Sequence, residues 1–289
     1  MKKIFGIGVS GLVGSRIAEV LKDEYVFDNL SLDTGVNITD PSTLDVIRND
    51  TEHPIVLHLA AKADVEGCEK DKALGNDGDA YKINVMGTQN VVDACKAANK
   101  RIIYISTDFV FGGEDTPEGG YTEEATPHPL NWYGETKFQG EEAVRNAGIP
   151  FQIVRIAYPY RKDAFGPKND FVHAMLGRLK IGQPLAGVTD HIMTPTYLDD
   201  IALALGKLFA REDSGVYHVV GSQSLSPYDA ALLIAEKFGV DKALISKTTR
   251  AEFFKDKAAR PFNLSLNNAK IKQLGVTMKS FEEGLKEVI

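Results

Sequence analysis

A tyrosine and a lysine four residues apart are the side chains of this sequence best suited to acid–base chemistry. Tyr133 and Lys137 occupy positions i and i+4 of a predicted helix, so the phenol and the ammonium share one face. A neighbouring ammonium stabilises a phenolate, which lets the tyrosine act as a general acid or base nearer neutral pH. The same spacing recurs at Tyr158 and Lys162, where Pro159 argues against a helix. Taken alone, the pair also fits a surface tyrosine beside a solvated lysine.

Hydroxyl groups at the end of a predicted strand make the pair more informative. The strand over residues 101–106 ends in Ser106-Thr107-Asp108. In open α/β sheets, ligands bind at this carboxyl edge. A Thr107 hydroxyl facing the Tyr133 proton donor would polarise a carbonyl oxygen from two sides. The sequence therefore predicts the protein groups that hydride transfer from a nicotinamide cofactor requires.

A glycine-rich turn near the N-terminus predicts where such a cofactor binds. Residues 4–7 are a short apolar run, and Gly8, Gly11 and Gly14 lie at its junction with the helix predicted over residues 12–21. Such glycines permit a tight turn, close approach of a diphosphate and close helix–strand packing, while the helix N-terminus supplies free N–H groups. A glycine triplet alone is a weak motif, but its position between strand and helix indicates dinucleotide binding.

The residue that contacts the adenosine ribose should follow the second strand, predicted over residues 25–30. Asp28, Ser31 and Asp33 all lie near that position, and by spacing from Gly8 the closest is Ser31. An acidic residue would favour NAD, since it accepts from the 2′-hydroxyl and repels a 2′-phosphate. A serine without an adjacent arginine leaves NAD(H) and NADP(H) both open, and the two aspartates fit equally well as solvated residues at a strand end.

The elements that must position these residues alternate between strand and helix. Strands are predicted over residues 4–7, 25–30, 55–59, 101–106 and 151–156, and intervening helices include residues 84–98 and 133–147. This alternation predicts an α/β fold with a Rossmann-type doubly wound parallel sheet. We assign residues 1–156 to a dinucleotide-binding domain. Residues 157–289 are expected to form mainly a smaller C-terminal substrate-binding lobe, with some segments returning to the sheet.

The composition excludes several other classes of protein. The 289 residues are 43% hydrophobic and 25% charged, which is ordinary for a globular protein. The formal net charge of −7 opposes binding to nucleic acid or anionic membranes, and no apolar run is long enough for a membrane span. The two cysteines have neither metal-ligand nor disulfide spacing. We therefore expect a cytoplasmic protein without a metal, either a monomer or a homodimer, whose partner is a small molecule.

These motifs resemble the extended short-chain dehydrogenase/reductase superfamily and, within it, the dTDP-4-dehydrorhamnose reductases. The resemblance covers essentially the whole chain, through the glycine turn, Leu59-Ala60-Ala61, Ser106-Thr107-Asp108, the segment 129–137, Pro195-Thr196 and Ala259-Arg260-Pro261. It implies an NAD(P)H-dependent reductase that acts on a 4-keto nucleotide sugar, as in dTDP-rhamnose biosynthesis.

The resemblance also implies roles for individual residues. Tyr133 would protonate the sugar oxygen, Thr107 would hydrogen-bond it, and Lys137 would bind the ribose and lower the pKa of Tyr133. The residues expected to contact the cofactor are Gly8, Gly11, Leu12, Val13, Ser31, Ala60, Ala61, Lys62, Asn84, Tyr133 and Lys137. Those expected to contact the nucleotide sugar are Thr107, Asp108, Phe109, Tyr158, His191 and Arg260.

The substrate side departs from the family pattern. Lys62 stands where the family usually has an aromatic residue, Glu66 replaces an aspartate and His191 replaces a glutamine. Tyr158 and Phe281 replace tryptophans. The sequence therefore supports nicotinamide chemistry more strongly than it supports any one sugar.

Several alternatives stay open. A 4,6-dehydratase would carry an Asp-Glu pair where this chain has Asp108-Phe109, which disfavours elimination. A sugar epimerase needs only the same catalytic triad, and a dinucleotide-binding regulatory subunit needs no turnover. Of the single residues, His58 is predicted to be packed in the core, His191 lies in a substrate-side loop, and Arg260 either binds a diphosphate or forms a salt bridge.

Overall fold

A parallel β-sheet forms the centre of the protein. The computed structural model describes residues 1–166 and 169–289. The described strands are β1 (Lys2–Ile7), β2 (Tyr25–Leu30), β3 (Ile55–His58), β4 (Arg101–Thr107), β5 (Phe151–Ile156), β6 (Pro159–Tyr160), β7 (Leu185–Val188), β8 (Thr196–Tyr197), β9 (Gly215–His218) and β10 (Ile245–Thr248). Six of them form one sheet in the order β2-β1-β3-β4-β5-β9, and the short pairs β7–β10 and β6–β8 lie outside it.

Helices cover both faces of the central sheet. The described helices are α1 (Leu12–Val20), α2 (Asp45–Arg48), α3 (Val65–Asp71), α4 (Asp79–Tyr81), α5 (Thr88–Ala97), α6 (Trp132–Arg145), α7 (Phe171–Lys180), α8 (Leu198–Phe209), α9 (Pro227–Phe238), α10 (Arg250–Phe253), α11 (Ala269–Lys272) and α12 (Phe281–Leu285). Strand β4 illustrates the layering, because its side chains alternate between faces. Ile103 and Ile105 pack with α1 and α8, whereas Ile102 and Tyr104 pack with α2, α5 and α6. The predicted Rossmann-type doubly wound sheet is confirmed.

The second half of the chain contributes to two cores. A separate apolar cluster, which includes Leu176 of α7, Ile234 of α9 and Ile245 of β10, forms a smaller C-terminal lobe. In contrast, β9 pairs with β5 as an edge strand of the central sheet, and α8 packs against α1. The C-terminal segments therefore support the central sheet as well as building the smaller lobe.

Two helices begin with turns that are not α-helical. A 3₁₀ turn that starts at Asp40-Pro41 precedes α2, with Asp40 accepting a hydrogen bond from the Ser42 amide. The helix predicted over residues 84–98 begins as a π-helical segment, Lys82–Gly87, before α5. In that wider turn, the Thr88 hydroxyl donates to the Asn84 carbonyl oxygen at 2.8 Å. Such π-helical turns occur frequently at functional sites.

Among the described helices there is no candidate for a membrane span, because none combines the necessary length with sufficient apolar character.

Candidate active site

A cavity of about 640 Å³ opens at the carboxyl edge of the central sheet. Its wall contains residues that follow β1, β3, β4 and β5, together with part of α6 and Arg260. The strand order reverses between β1 and β3, and in open α/β sheets ligands bind in the crevice at such a point. The cavity volume lies within the usual range for a small-molecule site.

The glycine turn forms one end of this cavity. Gly8 has φ +85°, and an added Cβ would lie 3.0 Å from the Ala60 backbone nitrogen. At Gly14, an added Cβ would overlap the backbone of Val9. Gly11 has an extended backbone, and its added Cβ would approach the Gly8 carbonyl oxygen at 3.3 Å. Gly8 and Gly14 are therefore required by the fold, whereas Gly11 keeps the cavity end open.

The N-terminus of α1 faces the same space. Leu12 and Val13 line the cavity with Gly11, the N-cap residue. In the described part of the chain, no side chain caps this helix and its first turn holds no acidic residue. The first N–H groups and the positive end of the helix dipole are thus free for an anion. This arrangement fits the diphosphate of a dinucleotide.

The three candidate ribose-binding residues have different surroundings. Asp28 lies 2.7 Å from His53 Nε2, and Asp33 is exposed on a 3₁₀ turn. Ser31 directly follows β2, and its amide donates to the Thr34 hydroxyl at 2.9 Å. Ser31 does not line the cavity wall described above. Of the three, Ser31 is the residue at the end of the strand, as its spacing predicts.

The segment after β3 is held by a buried asparagine. Ala61 lines the cavity, and Ala60 packs against the glycine turn. The fully buried Asn84 accepts from the Lys62 amide at 2.8 Å and donates to the Lys62 carbonyl oxygen at 3.0 Å. The Lys62 side chain pairs with Asp71 at 2.6 Å and does not line the cavity. Asn84 therefore fixes the shape of this loop, and Lys62 contributes its backbone.

Helix α6 brings the predicted tyrosine and lysine to the cavity. Asn131 caps the helix by accepting from the Gly134 amide at 2.9 Å, and it also donates to the Ala259 carbonyl oxygen. An added Cβ at Gly134 would overlap the carbonyl of Phe109, so glycine allows α6 to lie against the turn after β4. Tyr133 then packs edge-on to Phe109 at 5.6 Å between ring centroids. Close packing, not spacing alone, brings the phenol to the end of β4.

Burial dominates the electrostatics of the predicted catalytic side chains. Burial raises the pKa of Tyr133, which a hydrogen bond with Thr107 opposes. The expected lowering of the Tyr133 pKa by Lys137 is therefore not the main effect, because burial outweighs it. Burial lowers the pKa of Lys137 to about 7. Its Nζ donates to the Ile105 carbonyl oxygen at 2.8 Å, a bond that leaves two N–H groups available.

Asp108 places a carboxyl group beside the Thr107 hydroxyl, which the sequence predicts to be catalytic. The Thr107 hydroxyl donates to Asp108 Oδ1 at 3.0 Å and accepts from the Phe109 amide at 3.3 Å. Burial raises the pKa of Asp108 to about 7. Its Oδ2 is buried and has no hydrogen-bond partner among the described residues. Since buried polar atoms are normally paired, this oxygen is a candidate contact for a ligand hydroxyl.

Two departures from the family pattern touch each other. Tyr158 lines the cavity with φ +39°, an uncommon backbone conformation for a tyrosine. Its hydroxyl lies 2.8 Å from His191 Nε2, and His191 Nδ1 lies 2.7 Å from the Pro261 carbonyl oxygen. Because that carbonyl only accepts, Nδ1 carries the proton and Nε2 accepts from Tyr158. Burial lowers the pKa of His191 to about 4, so the ring is neutral. His191 thus lies behind Tyr158 instead of on the cavity wall.

The sequence left open whether Arg260 binds a ligand or forms a salt bridge, and its position in the structure is compatible with both. It lines the cavity, and its Nη2 donates to Glu66 Oε1 at 2.8 Å. Glu66 Oε2 also accepts from the Ala258 amide at 3.0 Å. The salt bridge therefore connects the C-terminal loop to α3 and holds the guanidinium at the cavity. Glu66 was not among the predicted contact residues, although the sequence identifies it as a departure from the family pattern.

Other wall residues were not among the predicted contacts. Gly14, Leu59 and Ser106 belong to the predicted motifs but were not assigned a contact. The remaining wall residues are apolar residues at or after the strand ends, whose type gives no chemical signal; they are Ala63, Val65, Ile105, Ile156 and Pro159. His58 is fully buried in β3, as predicted for a core residue. Within residues 1–166 and 169–289, no cluster of side chains could hold a metal ion.

Comparison with known proteins agrees with this architecture. The RmlD substrate binding domain family matches residues 1–289. The dTDP-4-dehydrorhamnose reductase of Aggregatibacter actinomycetemcomitans is 30% identical, over 100% of this chain and 98% of that protein. The mouse protein named methionine adenosyltransferase 2 subunit beta is 29% identical, over 87% of this chain and 74% of its own length.

Solved structures give the same result. The crystal structure of dTDP-4-dehydrorhamnose reductase from Bacillus anthracis in complex with NADP has a TM-score of 0.86 and 30% sequence identity, covering 99% of this chain and 97% of that one. The resemblance predicted from the motifs is confirmed. The chain belongs to the RmlD substrate binding domain family, whose members are NAD(P)-dependent reductases and related proteins of the extended short-chain dehydrogenase/reductase fold.

Proposed function

We propose that this protein is an NAD(P)H-dependent reductase that converts the 4-keto group of a nucleotide sugar to an alcohol. The observation that carries the proposal is the composition of one cavity wall. Thr107, Tyr133 and Lys137 line it together with the open glycine turn. In this arrangement, residues 1–156 hold the dinucleotide, and residues 157–289 supply Tyr158 and Arg260 to the sugar side.

The bound nicotinamide supplies the hydride, and this chain supplies the proton and its positioning. Tyr133 donates its phenolic proton to the sugar oxygen. Thr107 donates a second hydrogen bond to that oxygen once the substrate replaces Asp108 as its acceptor. The two remaining N–H groups of Lys137 bind the cofactor ribose, and its ammonium stabilises the phenolate left on Tyr133.

The substrate class follows from the polar residues at the other side of the cavity. The planar fork of Arg260 suits a diphosphate, and Glu66 holds it at the wall. The unpaired Asp108 Oδ2 accepts from a sugar hydroxyl. The relatives that reduce dTDP-4-dehydrorhamnose favour a dTDP-linked sugar. Ser31 leaves NADH and NADPH both admissible, and the NADP in the B. anthracis structure supports NADPH.

Two other functions remain candidates. A sugar epimerase would use the same triad without net consumption of cofactor. A regulatory subunit would bind the dinucleotide without turnover, and the similarity to a subunit of methionine adenosyltransferase 2 favours this second alternative. The complete Thr107, Tyr133 and Lys137 set supports the reductase over the subunit.

The test is a cofactor-oxidation assay with purified protein and a panel of 4-keto nucleotide sugars that vary in nucleotide and sugar. We expect NAD(P)H to be consumed in a one-to-one ratio with alcohol product. Tyr133→Phe removes the general acid, which should lower turnover by about 10²–10⁴-fold while cofactor binding survives. Product without net cofactor consumption would indicate an epimerase. Cofactor binding without turnover on any sugar would indicate a regulatory subunit.

A further inference from the structure

The Lys137 ammonium is buried at the cavity without a carboxylate partner. The residue is 2% exposed, and among the described residues its side chain forms no salt bridge. The carboxylate one turn further along α6, Glu141, is engaged by Arg155 at 2.7 and 2.9 Å and by Arg145 at 3.0 Å. The carbonyl oxygen of Ile105 accepts one of the three ammonium protons. A buried cation with so little compensation needs another source of stabilisation.

The face of an aromatic ring lies next to the ammonium, where a carboxylate partner would be expected. Lys137 Nζ lies 4.0 Å from the centroid of the Tyr104 ring, within cation–π range. Tyr104 is fully buried in β4, on the sheet face that packs against α6. The ammonium lies over the ring face, so the ring, not the hydroxyl, is the part of Tyr104 that contacts it.

The packing of α6 maintains this contact. Gly140 lies one turn after Lys137, and an added Cβ there would overlap the Tyr104 hydroxyl. Glycine thus allows the helix to approach the strand closely enough for the ammonium to lie over the ring. The equivalent strand positions Ile103 and Ile105 point to the opposite face of the sheet, so neither side chain could replace the ring.

The other titratable groups around Lys137 do not substitute for Tyr104. From β3, His58 is kept neutral, because burial and the Lys137 charge lower its pKa to about 3. On α6, the charge of Glu141 favours the ammonium but is shared with two arginines, and Tyr133 is neutral because burial raises its pKa. After β4, Asp108 is bonded to Thr107.

We propose that Tyr104 is a positioning residue, whose ring holds the Lys137 ammonium in place and in its charged form for the cofactor ribose. This inference rests on the proposed function only in assigning Lys137 to the cofactor. It predicts that the aromatic ring at position 104 sets the pH range over which a dinucleotide binds.

The test compares two substitutions at position 104 in the full-length protein. NADPH and NADH are titrated by fluorescence from pH 5.5 to 9, with wild type, Tyr104→Phe and Tyr104→Leu. In the wild type, affinity should fall as Lys137 loses its proton, with a midpoint near pH 7. Loss of the ring should move the midpoint down by about one pH unit, equivalent to about 1.4 kcal/mol. The charged fraction at pH 7 then falls from about one half to one tenth, so binding weakens roughly fivefold.

The controls separate this effect from a general loss of stability. Tyr104→Phe keeps the ring and should match the wild-type midpoint. Tyr25→Leu removes a buried tyrosine at the start of β2, against Phe209, and should lower the melting temperature without moving the midpoint. Lys137→Met should abolish the pH dependence, which assigns the midpoint to Lys137. If Tyr104→Leu does not fold, Tyr104→Met replaces it as the variant without a ring.

The outcomes distinguish failure of this inference from failure of the reductase proposal. A lowered midpoint in the ring-free variant alone supports the inference. A wild-type midpoint in that variant, or an equal shift in Tyr104→Phe, overturns it while leaving the reductase proposal intact. A wild-type protein that binds neither dinucleotide overturns both, whereas normal pH-dependent binding without turnover on any sugar overturns only the reductase.

Discussion

Gly11→Val should separate cofactor binding from folding. The Gly11 backbone is extended, with φ −79° and ψ 178°, a conformation that valine adopts readily. Its Cβ would lie 3.3 Å from the Gly8 carbonyl oxygen, a tight contact that a backbone shift of a few tenths of an ångström relieves. The valine methyls would then cover the N–H groups at the start of α1. Loss of two charge-assisted hydrogen bonds at about 1.5–3 kcal/mol each predicts a roughly 10²–10⁴-fold weaker dinucleotide affinity.

Calorimetric titration with NADPH and NADH measures this loss, and thermal melts monitored by circular dichroism measure the fold. The matched control is Gly14→Ala, whose added Cβ would overlap the Val9 backbone. We expect Gly11→Val to lose affinity while its melting temperature stays close to that of the wild type. Gly14→Ala should instead lower the melting temperature strongly. Wild-type affinity in Gly11→Val would refute the assignment of the diphosphate to this helix N-terminus.

Two further predictions concern single carboxylates. Ser31→Asp should lower the affinity for NADPH about tenfold or more and leave the affinity for NADH unchanged, because the new carboxylate repels a 2′-phosphate. Parallel titrations with the two cofactors measure this difference. Equal effects on both affinities would show that Ser31 does not lie at the ribose. Burial raises the pKa of Asp108 to about 7 in the folded protein. Between about pH 4 and pH 7 the folded protein therefore keeps a proton that the unfolded chain has lost. The free energy of unfolding should fall as the pH rises through this range. Asp108→Asn removes this penalty, which reaches as much as about 4 kcal/mol above pH 7. Its melting temperature should match the wild type near pH 4 and exceed it at pH 8, and parallel pH profiles of the two proteins would contradict this account.

The sequence predicted the parts of the site whose geometry is local. A glycine turn between strand and helix needs a particular backbone, so Gly8 and Gly14 can be recognised without a structure. Because Tyr133 and Lys137 are four residues apart, their side chains lie on the same face once α6 forms. Strand alternation likewise predicts the parallel sheet and the edge at which Thr107 lies.

Contacts between distant segments could not be predicted in this way. In the sequence, Tyr104 is indistinguishable from the other buried residues of its strand. Its position under Lys137 depends on how closely α6 approaches β4. The bond from Tyr158 to His191 joins residues 33 positions apart. Each residue alone is a departure from the family pattern, and only the fold brings the two together. The same holds for Glu66 and Arg260, which are 194 positions apart.

The most direct test of the central claim follows the hydride itself. NADPH or NADH deuterated at the transferred position of the nicotinamide is incubated with the protein and a 4-keto nucleotide sugar, and the product is examined by NMR and mass spectrometry. The account predicts one deuterium at C4 of the sugar for each cofactor oxidised, and a rate reduced by about 10²–10⁴-fold in Tyr133→Phe. An alcohol product without deuterium at C4, or transfer at an undiminished rate in Tyr133→Phe, would contradict it.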